Sequence, residues 1–96
     1  MKLYTLLFTP TAQNAIKHLH PQAKRAIKSV LQELKINPYL GKALHSEFKG
    51  LYSLRYKRYR VIYKINLAKH QLQIMLAGSR DSIYDELAKV LKSFKH

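Results

Sequence analysis

Two spacings of apolar side chains mark the N-terminal half of the chain. Residues 2–8 concentrate aliphatic and aromatic side chains, which is typical of a strand. Apolar positions then recur every three or four residues through 10–19 and again through 21–36, which predicts two helices. Pro21 separates these helices, because the residue before a proline disfavours the helical conformation. The pattern therefore predicts a strand followed by a helical hairpin.

The C-terminal half changes to alternation typical of strands and then returns to helical spacing. Residues 38–50 contain two glycines and a proline and are interpreted as a loop. Three short strands are predicted next, at 51–57, 59–66 and 71–77. Their close succession favours an antiparallel meander. A last helix is predicted after a turn at 78–82.

The resulting element order is β-α-α-β-β-β-α, which indicates an α+β fold with helices on one face of a sheet. A length of 96 residues fits one domain, so residues 1–96 are predicted to be a single unit. No run approaches the length of a membrane span, and no membrane association is expected. A cytoplasmic location is predicted.

The net charge of the chain reduces the number of function classes to which it can belong. Lys and Arg number 18 against five Asp and Glu, which gives a net charge of +13 and a pI near 10.2. Such a balance is typical of a protein that binds a polyanion, with nucleic acid as the first candidate and an anionic membrane or an acidic protein partner next. Five acidic residues are too few to favour a two-metal nuclease, and the absence of cysteine excludes thiolate chemistry. No metal or cofactor is predicted.

The basic residues concentrate in the predicted meander and the loop before it. Seven lie between positions 42 and 64, opposed by one acidic residue: Lys42, Lys49, Arg55, Lys57, Arg58, Arg60 and Lys64. Five aromatic residues are interleaved with them. Cations can hold phosphates while aromatic faces stack unpaired bases, so the pattern indicates RNA binding. The alternative is a solvated edge strand that charge keeps soluble.

Strand parity places several of these cations together. Arg60 alternates with Tyr59 and Val61, so it is expected on the open face of the sheet if the Tyr59 face packs on the helices. Arg55 has the matching parity on the preceding strand. Arg80, at the end of the last strand, and Tyr84, one helical turn later, are expected to join this surface.

These segments carry a resemblance to a known family. Residues 51–65, with Tyr-Arg-Val-Ile-Tyr at 59–63, resemble the central signature of the RelE/ParE toxin superfamily, and Gly-Ser-Arg-Asp-Ser-Ile-Tyr at 78–84 resembles its closing motif. The resemblance covers nearly the whole chain. It implies a small twisted antiparallel sheet with an N-terminal helical hairpin packed on one face and a C-terminal helix.

The resemblance also implies a function. Toxins of the RelE branch cleave mRNA in the ribosomal A site, where the 2′-OH attacks the adjacent phosphate. The chain is therefore predicted to be the toxin of a type II toxin–antitoxin system, a metal-independent endoribonuclease with ribosome-bound mRNA and an acidic antitoxin as partners. The alternatives are an inhibitor of DNA gyrase of the ParE type, without enzymatic activity, and a non-catalytic RNA-binding module.

The family's functional residues match positions in this chain. By resemblance, Arg60 binds the scissile phosphate, Arg80 acts on the leaving group, Tyr84 stacks or orients a base, and Arg55 is a basic residue on the preceding strand. Lys57 is predicted as a catalytic lysine, with Lys49 as the alternative base. The predicted nucleic-acid-binding residues are Lys42, Lys49, Arg58 and Lys64.

Two positions depart from the family pattern. Some relatives have lysines near Ser53 and Arg55, and some have a histidine or lysine where this chain has Ser79. Because an arginine is a poor general base, the identity of the base stays open.

Overall fold

The helices and strands follow the predicted order, with one additional short strand. The computed structural model describes residues 2–79 and 83–93. The elements are β1 (Thr5–Phe8), α1 (Pro10–Lys17), α2 (Pro21–Ile36), β2 (Lys42–Ala43), β3 (Tyr52–Tyr56), β4 (Tyr59–Asn66), β5 (Gln71–Ser79) and α3 (Ile83–Ser93), with 3₁₀ turns at Pro38–Leu40 and Ser46–Phe48. The predicted bounds of α2 and β4 are confirmed. The predicted loop at 38–50 contains β2, which alternation could not reveal in two residues.

The strands form one mixed sheet in the order β1-β5-β4-β3-β2. The predicted antiparallel meander of β3, β4 and β5 is confirmed. The expectation of an all-antiparallel sheet is wrong for β1, which pairs in parallel with β5. Tight turns dictate antiparallel pairing, whereas two helices separate β1 from the next strand and leave its direction free.

The helical hairpin packs on one side of the sheet, here called the hairpin face. Its core includes Ile27 and Leu34 from α2 and Val61, Tyr63 and Ile74 from the strands, all at most 1% exposed. Burial of these side chains is the main stabilising term on this side, at about 1.5–3 kcal/mol for each.

The opposite side of the sheet, here called the α3 face, carries a second core. Ile83 and Leu87 of α3 pack with Ile62 and Leu76, and each of the four is at most 1% exposed. The expectation that the helices share one face is therefore wrong for α3, and the face predicted to be open is partly covered. No helix among residues 2–79 and 83–93 is long and apolar enough to cross a membrane.

Thr9 joins α1 to the sheet. Its Oγ1 accepts a hydrogen bond from the Ala12 amide at 3.0 Å, which confirms the predicted helix cap, and donates one to the Met75 carbonyl at 2.9 Å. Met75 lies at a β-bulge, where the register between β4 and β5 shifts. The buried threonine thus fixes the start of α1 against this irregularity.

Tyr63 anchors the segment that leads into β2. Its Oη donates a hydrogen bond to the Pro38 carbonyl at 2.6 Å and accepts one from the Gly41 amide at 3.0 Å. Its ring stacks on Tyr52 with centroids 5.6 Å apart. Burial raises the pKa of Tyr63 from 10.0 to about 12.

We predict that Gly41→Ala destabilises the protein by about 1–3 kcal/mol, because overpacking a filled site forces its surroundings to move. A Cβ at Gly41 would lie 2.5 Å from Tyr63 Oη and 3.1 Å from the Ser53 carbonyl oxygen. Urea unfolding followed by circular dichroism measures the change. Gly78→Ala is the matched control, since a Cβ there meets nothing within 4 Å. Equal stability of the two variants would contradict the close contact.

We also predict that Tyr63→Phe costs about 1–3 kcal/mol at neutral pH, because two buried backbone groups lose their partner. The folded-state pKa is raised, so the hydroxyl's stabilisation is present below pH 10 and is lost as the pH rises towards 12. The stability difference between wild type and variant should therefore shrink by about 1.4 kcal/mol per pH unit above pH 10. Urea unfolding at several pH values tests this, and a pH-independent difference would contradict it.

Candidate functional site

Three polar side chains meet on the α3 face. The Nη1 of Arg60 donates a hydrogen bond to Ser53 Oγ at 3.0 Å, and the hydroxyl of Tyr84 donates another to the same oxygen at 3.3 Å. The guanidinium carbon of Arg60 lies 5.4 Å from the centroid of the Tyr84 ring. Phe48 flanks that ring, with centroids 5.9 Å apart. These four residues are called the Arg60 cluster.

Strand register and helix packing bring the cluster together. Arg60 pairs with Arg55, and Ser53 pairs with Ile62, so Ser53 lies diagonally across from Arg60 on the same face. Ile83 is buried against the sheet and fixes the first turn of α3, which places Tyr84 over Arg60. The predicted proximity of Arg60 and Tyr84 is therefore found in the structure.

The charge on Arg60 has no counter-ion within residues 2–79 and 83–93. Its hydrogen-bond acceptor and its ring neighbour are both neutral. Its Nε is buried without a hydrogen-bond partner. A second cation, Arg55, stands directly opposite on β3. A half-buried guanidinium in such surroundings is strongly attractive to an anion.

The other predicted catalytic residues lie around this cluster. Arg55 is exposed, and its Nε donates to the Lys57 carbonyl at 3.5 Å. The ammonium of Lys57 lies 5.4 Å from the ring centroid of Tyr56, whose cross-strand partner is Tyr59, so it does not join the cluster. Arg80 lies outside the described residues.

The predicted nucleic-acid-binding residues fall into two places. Lys42 is exposed and pairs with Ser53 across the sheet, and Arg58 is exposed in the β3–β4 turn. Lys49 and Lys64 instead line a cavity of about 500 Å³ with Leu91 of α3. The acidic side chain of Glu47 lines the same cavity as Lys49 and Lys64. Within the described residues, no group of three or more His, Asp or Glu side chains is placed to hold a metal ion.

Ser53 is the member of the Arg60 cluster to which the sequence assigned no role. Ser53 lies two residues before Arg55 and is therefore expected on the same face of the strand. A single serine among many basic residues does not by itself indicate a role. Its diagonal relation to Arg60 depends on the strand register, which only the structure supplies. Phe48 was one of the interleaved aromatic residues, and its contact with Tyr84 depends on the position of α3.

Comparison with known proteins identifies similar sequences and folds. The family described as ParE-like toxin of type II bacterial toxin–antitoxin system matches residues 6–88. Toxin RelE of Mycobacterium tuberculosis is 32% identical over 83 residues, which cover 84% of this chain and 86% of that protein.

Solved structures give the same result. The RelBE2 toxin–antitoxin complex of M. tuberculosis matches with a TM-score of 0.76 and 30% identity, over 81% of this chain and 99% of that chain. A mutant of E. coli toxin RelE in the free state matches with a TM-score of 0.73 and 20% identity, over 91% and 96% of the two chains. The second likeness concerns the fold.

We predict that Arg55→Gln stabilises the protein by about 0.2–1 kcal/mol at low ionic strength, because like charges directly opposite in a sheet repel each other. The gain should largely disappear in about 1 M NaCl, where the Debye length is about 3 Å. Urea unfolding at both salt concentrations measures it. Arg25→Gln removes an exposed arginine from α2 and is the matched control. An equal gain in the control would attribute the effect to net charge alone.

Proposed function

Because this chain belongs to the ParE-like toxins of type II toxin–antitoxin systems, we propose that it is a ribosome-dependent mRNA endonuclease that inhibits translation. One observation carries this proposal: Arg60 is half-buried, is held by neutral partners and has no counter-ion among the described residues. A phosphate group of RNA supplies the missing negative charge and accepts hydrogen bonds from the Nη groups of Arg60.

The proposed reaction is attack of a ribose 2′-OH on the adjacent phosphorus. The 2′ oxygen forms a bond to phosphorus, the bond to the 5′ oxygen breaks, and a cyclic phosphate and a free 5′-OH result. Arg60 stabilises the charge that develops on the phosphoryl oxygens, and Arg55 adds to the field. Arg80 stabilises the negative charge on the departing 5′ oxygen, which takes up a proton from solvent to give the 5′-OH, and Tyr84 stacks or orients a base.

The 2′-OH proton requires an acceptor. Lys57 and Lys49 are the two candidate bases in this proposal, since a neutral lysine can act as a general base. Both side chains are exposed; Lys49 lines the cavity on the α3 face, whereas the ammonium of Lys57 lies over the Tyr56 ring. Alignment of the 2′-OH with the phosphate is assigned largely to the ribosome.

The nucleic-acid surface extends this site. Lys42 and Arg58 are proposed to contact the RNA backbone near the cluster, and Lys49 and Lys64 to contact it at the other side of the face. Such contacts supply affinity and depend on salt, whereas they carry no sequence information.

An acidic antitoxin is the proposed protein partner. The net charge of +13 favours an acidic segment, and exposed side chains such as Leu7, Leu40 and Leu67 offer apolar contacts. The similar RelBE2 structure of M. tuberculosis is a toxin–antitoxin complex, and a mutant of E. coli toxin RelE was solved with an antitoxin peptide. A cytoplasmic location follows from the proposed target.

Inhibition of DNA gyrase is the second candidate. The observation that favours it is the matching family itself, which is described as ParE-like. In this alternative the cations contact gyrase or its DNA without catalysis.

We predict that the purified protein cleaves mRNA inside ribosome-occupied codons in a cell-free translation reaction and leaves naked RNA intact. Arg60→Ala should lower the cleavage rate by about 100- to 1,000-fold, the cost of removing one preorganised charge-stabilising donor. Primer extension maps and quantifies the cuts, and circular dichroism checks folding.

Arg25→Ala is the matched control, because it removes an exposed arginine from α2, away from the cluster. Intact mRNA with normal protein synthesis would overturn the endonuclease proposal. A supercoiling assay with purified gyrase would then decide for or against the second candidate.

A further inference from the structure

We infer that Ser53 is a positioning residue of this site, whose hydroxyl holds the guanidinium of Arg60 and the phenol of Tyr84 in a fixed mutual orientation. The inference rests on the proposed function, since it assigns Ser53 a part in RNA cleavage. Nothing in the family resemblance predicts it, because some relatives have lysines in this region.

The hydrogen bonds converge on a single oxygen. Ser53 Oγ accepts from Arg60 at 3.0 Å and from Tyr84 at 3.3 Å. A serine hydroxyl has two lone pairs, so both are occupied. Ser53 is only 4% exposed, which keeps it from direct contact with a substrate. Its effect on the reaction must therefore pass through its two donors.

The hydrogen bond supplies orientation that the ring contact does not. A cation over an aromatic face is attracted towards the ring centroid, but the attraction leaves rotation in the plane nearly free. The bond to Nη1 removes this rotation. The guanidinium then keeps its Nη2 protons and one Nη1 proton available for an anion in a constant direction.

Position 53 requires a side chain that accepts hydrogen bonds without carrying a charge. An aspartate at position 53 would neutralise Arg60 and weaken its attraction for phosphate. An alanine would leave Nη1 without an acceptor beside an Nε that already lacks one. A serine satisfies the donor and preserves the positive charge.

The hydroxyl also ties α3 to β3. Tyr84 lies in the first turn of α3, and its ring contacts Phe48 and Arg60. With its hydroxyl bound to Ser53, the ring cannot tilt independently of the guanidinium. A stacked base and a bound phosphate would thus meet their two contacts at a constant separation.

The first test measures cleavage by Ser53→Ala under single-turnover conditions with ribosome-bound mRNA. We expect the maximal rate to fall about 10- to 100-fold, the scale of a misplaced catalytic group. The concentration for half-maximal rate should change little, because the charge of Arg60 remains. Ser53→Thr, which restores the hydroxyl, should recover most of the rate, and Ser29→Ala on the exposed side of α2 is the matched serine control.

A double-mutant cycle separates positioning from a general loss of stability. Tyr84→Phe removes the second donor to Ser53 Oγ. If the hydroxyl couples the two side chains, the rate loss in Ser53→Ala/Tyr84→Phe is smaller than the product of the single losses. A wild-type rate in Ser53→Ala, or strictly multiplicative losses, would overturn the inference.

A spectroscopic measurement tests the orientation of Arg60 without relying on RNA cleavage. In ¹⁵N-labelled protein, the Nη signals of Arg60 should be resolved in the wild type, because the hydrogen bond slows guanidinium rotation. They should average in Ser53→Ala and be resolved again in Ser53→Thr. Absence of cleavage by the wild type would overturn the proposed function, whereas averaged Arg60 signals in the wild type would overturn the positioning role.

Discussion

Three consecutive buried residues in β4 impose the architecture of this protein. Val61 and Tyr63 face the helical hairpin, Ile62 faces the other way, and none is more than 1% exposed. Because neighbouring side chains of a strand point to opposite faces, this run requires apolar cover on both sides of the sheet. The hairpin supplies one cover and α3 the other. The position of α3, and with it that of Tyr84, follows from the need to bury Ile62.

The same strand carries Arg60, on which the proposed function depends. Arg60 precedes the buried run and shares a face with Ile62, so the helix that covers Ile62 also brings an aromatic ring to Arg60. Its guanidinium is half-buried, opposite another arginine, with one neutral acceptor and an unpartnered Nε. Partial burial of the charge, the opposing arginine and the unpartnered Nε each lower the stability of the isolated fold, and the charge without a counter-ion attracts an anion. Folding stability and the proposed function therefore oppose each other at Arg60. Burial of apolar side chains in the two cores around β4 offsets the stability that is lost there.

Local sequence signals predict some features of this structure, whereas others depend on contacts between residues far apart in the chain. The bounds of α2 and β4 were predictable because long apolar periods and proline boundaries are local signals. The direction of β1 and the existence of β2 were not, because each depends on pairing with residues far along the chain. Helical amphipathicity marked the buried stripe of α3 but not the face it would cover. Arg60 and Tyr84 were found through resemblance and parity, whereas Ser53 depends on register, and Arg80 lies outside the described residues.

The departure at Ser53 changes what the remaining cations must do. A lysine at this position would place a second charge against Arg60, and burial would force it towards the neutral form that can accept a proton. The serine found here cannot serve that purpose, since both of its lone pairs are engaged. Proton acceptance must then come from a residue outside the buried cluster, where Lys57 and Lys49 are exposed. In the proposed reaction, a buried hydrogen bond therefore orients the charge of Arg60, and an exposed lysine accepts the proton.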